Sequence, residues 1–232
     1  RYVIGDTYSE ANEGLIKLAR KFGEISPSST GEPRHEIVSF YGSFHGRTTG
    51  GMAATGQEKI RSGFGPLMEG FKYLPFNDVD ELLNGVGDNT AAILIEPVQG
   101  EGGINVASEE FLSAVQELCQ TRNILLFFDE VQCGMGRCGD LCGWRMISND
   151  QEIKPDAISW AKGLGGGFPI GAIWIADKGV NDLKRTIISL VNTIKFEQKS
   201  EYFKMHVDRV FSKKGYGPVV TGTVKSGTLK VG

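Results

Sequence analysis

The sequence predicts an α/β fold: a mainly parallel sheet with helices on both faces, followed by one helix and an incomplete β-barrel. Three observations carry this reading. Two apolar runs, ILLFFDEVQ over 124–132 and the start of DAISWAKGLGGGFPIG over 156–171, are short and bounded by turn signals, as buried strands are. Helical stretches alternate with such runs through residue 178, the signature of βα repeats. From residue 179 onward the pattern changes to one apolar helical stripe and then to β-branched runs broken by glycine.

The elements follow in order. SEANEGLIKLARKF, 9–22, places Ala11, Leu15, Leu18, Ala19 and Phe22 on one helical face, with Ser9 as the expected cap. Residues 24–35 form a polar loop. EIVSFY, 36–41, reads as a strand leading into GSFHGRTTG. A strand at 71–76, a helix at 78–86 and a strand at 91–96 come next, then EPVQGEGG, in which EGG is a turn. A helix at 108–120 and a strand at 124–129 close another repeat. GMGRCG, 134–139, has the spelling of a dinucleotide fingerprint but no strand and helix tightly around it, and GLGGGFPIG lacks the GK[ST] ending of a phosphate loop.

Composition bounds the function. The chain has 232 residues, 40% of them hydrophobic, enough to bury a core. No apolar run reaches the ~20 residues of a membrane-spanning helix. Charge is uneven: residues 179–232 carry +6 and residues 1–178 carry −9, an asymmetry that raises a nucleic-acid contact for the tail. Cys133, Cys138 and Cys142 cluster, but without a CxxC pair or a histidine within twenty residues, so no metal is expected and the thiols are expected to stay reduced. A cytoplasmic location is expected on that ground. The chain opens on Arg1, almost inside a motif, and is expected to be a piece of a longer protein.

The chemistry concentrates on two strand ends. In open α/β sheets ligands bind beyond the carboxyl ends of the strands, which directs Asp129 and Lys162 into one crevice. A lysine and an aspartate there suit Schiff-base chemistry on a pyridine cofactor, the lysine binding its aldehyde and the aspartate pairing with its ring nitrogen. On spacing alone an ordinary salt bridge between strand ends is the favoured reading.

Four motifs in order, SFHGRTTGGMAATGQ, EPVQGEGG, FDEVQCGMGRCG and AKGLGGGFPIGA, resemble the class III aminotransferases of fold type I, and within them the acetylornithine aminotransferases, over residues 1–178. The resemblance implies pyridoxal 5'-phosphate as cofactor, with Lys162 as the lysine that holds it and moves the proton, and Asp129 on the ring nitrogen. It implies Phe44 and Val131 on the two ring faces and Gln132 on the ring's 3-oxygen. Thr7, Tyr8 and Ser9 fall where the family holds the phosphate at a helix start. Tyr8 replaces a glycine there, which implies weaker cofactor binding. Glu101 matches the family's substrate-switching glutamate, and Glu96 a support of the crevice. His45 and Arg47 belong to the motif and are assigned no step. Burial is expected to keep the Lys162 amine neutral. The implied reaction is transamination between N-acetylornithine, or a related ω-amino acid, and 2-oxoglutarate, in arginine biosynthesis and in a homodimer. The family's partner-facing threonine loop and carboxylate-binding arginine are not found, so little or no turnover is expected.

The tail reads differently. GVNDLKRTIISLVNTI, 179–194, is an amphipathic helix, and DRVFSKKGYGPVVTGTVKSG resembles the selenocysteine-specific translation elongation factors at the start of a barrel domain. The whole is expected to be a chimera, 1–178 and 179–232. The alternative is an RNA- or ribosome-associated binding module with a degenerate enzyme core.

Overall fold

The computed structural model describes residues 2–5, 7–148, 153–176, 204–213 and 217–226. The chain divides into two compact units, 1–185 and 186–232. In the first unit seven strands form one sheet in the order β1-β9-β8-β7-β4-β2-β3. They are β1 (Tyr2–Gly5), β2 (Glu36–Phe40), β3 (Phe71–Leu74), β4 (Thr90–Ile95), β7 (Leu125–Asp129), β8 (Ala157–Trp160) and β9 (Gly171–Ile175). A two-stranded ladder, β5 (Val98–Gln99) with β6 (Asn105–Val106), lies outside it.

From β8 to β3 every pairing is parallel. β9 runs antiparallel to β8, and β1 antiparallel to β9, so β1 points the same way as the parallel strands. The chain therefore leaves β1, β2, β4, β7 and β8 at one common edge of the sheet, which is where a ligand site of this architecture belongs.

Side-chain alternation divides the core into two layers. Val38, Phe40, Ile93, Ile95, Leu126 and Phe128 point to one face, and Ile37, Ala92, Leu94, Leu125 and Phe127 to the other. The first face is covered by α4 (Val79–Gly85) and α5 (Glu109–Thr121), which contribute Leu82, Phe111, Leu112 and Val115. Phe40, Phe76 and Phe111 meet edge to face, with centroids 5.3–5.9 Å apart. The second face is covered by α1 (Tyr8–Ile25) through Ala11, Leu15, Ile16 and Ala19. Every residue of β4 and β7 is buried, which is why both read as unbroken apolar runs.

The helix starts are set by side-chain caps. Ser108 accepts from Phe111 N–H at the start of α5 and Asp78 from Glu81 N–H at the start of α4. At α1 the cap is Thr7, not Ser9, which lies within the first turn. Thr7 Oγ1 accepts from Glu10 N–H while Glu10 Oε2 accepts from Thr7 N–H, a capping box. Two short helices, α2 (Thr49–Ala54) and α3 (Glu58–Arg61), were not foreseen.

At the other end of α1, Arg34 gathers chain ends. Its guanidinium is buried and donates to Ser26 O (2.6 Å), Ser26 Oγ (2.8 Å) and Asn123 O (2.9 Å), with longer bonds to Thr90 O and Arg122 O. Ser26 and Arg122 are the C-terminal caps of α1 and α5, so one cation satisfies carbonyls that helix ends leave open.

In the second unit the described residues form one antiparallel pair, β10 (Lys204–Lys213) with β11 (Gly217–Ser226). The helix expected over 179–194 lies outside the described residues.

Candidate active site

Four of the loops leaving the common edge carry the residues singled out by sequence. Phe44 follows β2, Glu96 and Glu101 follow β4, Asp129 to Gln132 end β7, and Lys162 follows β8. The start of α1, with Thr7, Tyr8 and Ser9, follows β1 at the same edge. β9 begins there too. A Cβ on Gly171 would come within 2.2 Å of Thr7 O, so only glycine lets β9 start against the cap of α1.

Asp129 is the hub. It is 2% exposed. Its Oδ2 accepts from Asn12 Nδ2 (2.7 Å) and His45 Nδ1 (2.9 Å), and its Oδ1 accepts from Val131 N–H (3.1 Å). Three elements far apart in sequence thus converge on one carboxylate. Asn12 also donates to His45 O (2.9 Å) and accepts from Ser159 Oγ (2.7 Å). His45 N–H donates to Thr55 Oγ1 (2.9 Å).

Glu96 lies beside this network, 2% exposed. Its Oε2 accepts from Phe44 N–H (2.8 Å), which ties the loop after β2 to the loop after β4. Burial first, and then the Asp129 charge, hold its carboxyl well above the usual carboxylate range, with Lys162 opposing and Glu101 adding to the rise. Glu96 is thus the structural support expected of it, and it is also a buried acid within electrostatic reach of both Asp129 and Lys162.

The loop after β7 is anchored by Glu130, fully buried, which accepts from Gly143 N–H (2.8 Å), Trp144 N–H (3.1 Å) and Cys133 Sγ (3.2 Å). Burial raises the Glu130 carboxyl. That clamp fixes Val131 and Gln132 between two held residues. Burial, with the Glu130 charge, also pushes the Cys133 thiol far up and Cys142 to about 11. Both are therefore protonated thiols of low reactivity at neutral pH. Among the described residues no group of His, Cys, Asp and Glu could hold a metal ion.

Lys162 departs from expectation. It opens the turn Lys162–Gly165 with φ +43° and its side chain is exposed. The dry surroundings expected for its amine are not seen, because the residue lies beyond the last paired residue of β8, at the open edge and not between layers. A left-handed backbone at a lysine costs roughly 1–2 kcal/mol, and such outliers cluster at functional sites.

The residues present fit a pyridoxal phosphate. Gln132 Nε2 is buried without a hydrogen-bond partner, a donor awaiting an acceptor. Gly100 leaves it room, since a Cβ there would stand 3.1 Å from Gln132 Oε1. The Phe44 ring and Val131 are buried, and the Arg47 guanidinium lies 5.3 Å from the Phe44 centroid. Thr7 is exposed, and as a cap it uses its oxygen as acceptor, a role that does not consume the hydroxyl proton. Glu101 is exposed in the turn between β5 and β6.

Asn12, His45 and Glu130 are the site residues that sequence reasoning missed or left without a role. His45 and Glu130 were signalled by their motifs, SFHGRTTGGMAATGQ and FDEVQCGMGRCG, but given no role; Asn12 carried no local signal.

Comparison with known proteins agrees with this geometry. The family model for aminotransferase class-III matches residues 1–186. Acetylornithine aminotransferase of Methanocaldococcus jannaschii is 51% identical over 170 residues, covering 73% of this chain and 41% of that protein. That of Bacillus subtilis is 52% identical over 167 residues, 71% and 40%. The mitochondrial acetylornithine aminotransferase of Debaryomyces hansenii is 35% identical in an alignment covering 100% of this chain and 55% of that protein. The chain thus spans about two fifths of the bacterial and archaeal relatives. Among solved structures, N-acetylornithine aminotransferase from Stenotrophomonas maltophilia matches with TM-score 0.62 and 36% identity, over 78% of this chain and 43% of that one. Ornithine aminotransferase from Toxoplasma gondii matches with TM-score 0.69 and 31% identity, over 79% and 43%, and shows partial occupancy of PLP at its active site. A parallel sheet whose common edge gathers Asp129, Gln132, Phe44 and Lys162, together with a family match over most of the chain, makes this chain a member of the class III aminotransferases.

Proposed function

We propose that the first unit is the cofactor-binding part of an aminotransferase that exchanges an amino group between N-acetylornithine, or a related ω-amino acid, and 2-oxoglutarate, serving arginine biosynthesis in the cytoplasm as a homodimer. The observation that carries this reading is the Asp129 carboxylate, buried and held by three donors at the end of β7, with the unpartnered Gln132 amide three residues on. The relatives near 50% identity support the choice of amino donor.

Pyridoxal phosphate, when bound, supplies an aldehyde for the amino group and a ring that takes up the electron pair left on the substrate carbon. The chain's own residues would do the rest. Asp129 orients the ring by its nitrogen. Gln132 Nε2 donates to the ring oxygen. Phe44 and Val131 present apolar surfaces that exclude water. The start of α1, with Thr7 and Ser9 hydroxyls, faces the phosphate. Lys162 Nζ would hold the cofactor by its aldehyde, and its free amine would take the proton from the amino-bearing substrate carbon. Glu101 selects between the two substrates. Residues 179–232 are proposed to contribute nothing to the chemistry.

The test is reductive labelling. Incubation with pyridoxal phosphate, borohydride reduction and peptide mapping are expected to place the label on Lys162. Label spread evenly over the surface lysines would refute the assignment.

A further inference from the structure

We propose that Asn12 is a positioning residue for the site, acting through Asp129: it fixes the rotation of the Asp129 carboxylate and so the direction in which Oδ1 faces a bound ring. The proposal rests on the reading of Asp129 as the cofactor's partner. Asn12 lies in the second turn of α1 and is fully buried. A buried amide is costly unless its polar atoms are used, and here they are. Both Nδ2 hydrogens are donated, to Asp129 Oδ2 (2.7 Å) and His45 O (2.9 Å), and Oδ1 accepts from Ser159 Oγ (2.7 Å).

This arrangement admits one orientation. Turning the amide over would set Oδ1 against a carboxylate oxygen and a carbonyl, both acceptors. Ser159 reinforces the choice. It is fully buried and pairs with Asp129 directly across the β7–β8 ladder, and its carbonyl accepts from Glu130 N–H (3.0 Å). The amide therefore bridges the last residue of β7 and the last but one of β8. On Asp129 the two side-chain donors, Asn12 and His45, arrive on the same oxygen. Oδ1 keeps only the Val131 N–H at 3.1 Å. The geometry thus assigns Oδ1, the less engaged oxygen, to an incoming N–H.

A residue that merely tied α1 to the sheet could be apolar, as Leu15 and Ala19 are on the same helix. What distinguishes a positioning role is an effect on Asp129 and His45 with the fold intact. Two readouts report it in the full chain. One is the solvent-exchange rate of the His45 Nδ1 proton by NMR without cofactor. The other is pyridoxal phosphate affinity and the pH midpoint of its absorption band on titration.

Asn12→Asp keeps the shape and removes both donors; Asn12→Leu removes all polarity. Each is expected to speed His45 proton exchange and to weaken cofactor binding about tenfold or more, as loss of a hydrogen bond to a charged group implies, with the midpoint displaced. Ser159→Ala is expected to give the same changes, about two- to fivefold, and decides the matter if the Asn12 variants do not fold. A lowered melting temperature with unchanged proton exchange would mark a structural role and overturn the proposal. Asp129→Ala separates the two readings. If it abolishes cofactor binding while the Asn12 variants bind within twofold of the parent, the role of Asn12 is overturned and the proposed function stands. If Asp129→Ala binds cofactor unchanged, the proposed function falls, and this inference with it.

Discussion

Replacing Glu96 by glutamine should make the stability of the first unit less dependent on pH, and the size of the effect follows from where the residue sits. Glu96 is 2% exposed, accepts one backbone N–H and has Asp129 as a charged neighbour, so its folded pKa lies well above the ordinary value of 4.5. The sign follows from proton binding. Below pH 4.5 folded and unfolded chains both carry the proton, and the stability is fully present. As pH rises past 4.5 the unfolded chain releases the proton while the folded chain keeps it, so stability falls by about 1.4 kcal/mol per pH unit until the folded pKa is passed. Glu96→Gln has no such proton. Its oxygen can still accept from Phe44 N–H, and its NH2 replaces Oε1, an atom with no partner; any cost of burying that amide is independent of pH. The difference between variant and parent should therefore widen in the variant's favour as pH rises above 4.5, by at most about 1.4 kcal/mol per pH unit and only until the folded pKa is reached. Urea unfolding over that range measures it. The chain's three tryptophans, Trp144, Trp160 and Trp174, all lie in the first unit, so their fluorescence reports that unit alone. A difference that stays flat with pH, or that turns against the variant as pH rises, would show Glu96 to be ionised and paired with Lys162, and would refute the reasoning.

Two further predictions concern stability without cofactor. Arg34→Met keeps the stem over Phe22 but strips the guanidinium from carbonyls at both helix ends. Two short charge-assisted bonds at roughly 1.5–2 kcal/mol each give a loss of about 3–4 kcal/mol, read from the urea midpoint; a loss below about 1 kcal/mol would show the cluster to be dispensable. At Lys162, with φ +43°, glycine relieves a strain that alanine retains. Lys162→Gly should be about 1 kcal/mol more stable than Lys162→Ala, and equal stabilities would mean that the turn relaxes when the lysine is absent.

Legibility in the sequence followed burial. β4 and β7 could be found within a residue because both faces are covered and nearly every side chain is apolar. The start of α1 was displaced by two residues because Thr7 and Ser9 are both good caps. The glutamate three residues after Thr7 completes the capping box and decides between them. β1 and β9 were missed because four- and five-residue strands beside glycine-rich turns carry too little pattern to separate from loop. Asp129 and Gln132 could be placed by motif and strand end. Asn12 could not. On a helical wheel it is one more polar residue, and its partner Asp129 is 117 positions away.

The three buried acids at this edge show why the site belongs where the strands end. Within a strand the backbone N–H groups are spent on the ladder; just past its last residue they are available to side chains. Glu130 reaches two from farther along the chain, the Gly143 and Trp144 N–H groups that open the turn Gly143–Met146, and adds a thiol. Asp129 uses one, from Val131, and adds an amide and an imidazole. Glu96 has one, from Phe44, and one oxygen with no partner. Of the three, Glu96 has the fewest donors and a charged neighbour, so neutralisation is the less costly state for it. A proton on Glu96 removes its repulsion with the neighbouring Asp129 carboxylate, which already has its own three donors. The division of labour thus follows from counting donors at each strand end, and the Glu96→Gln titration measures whether that count governs the site.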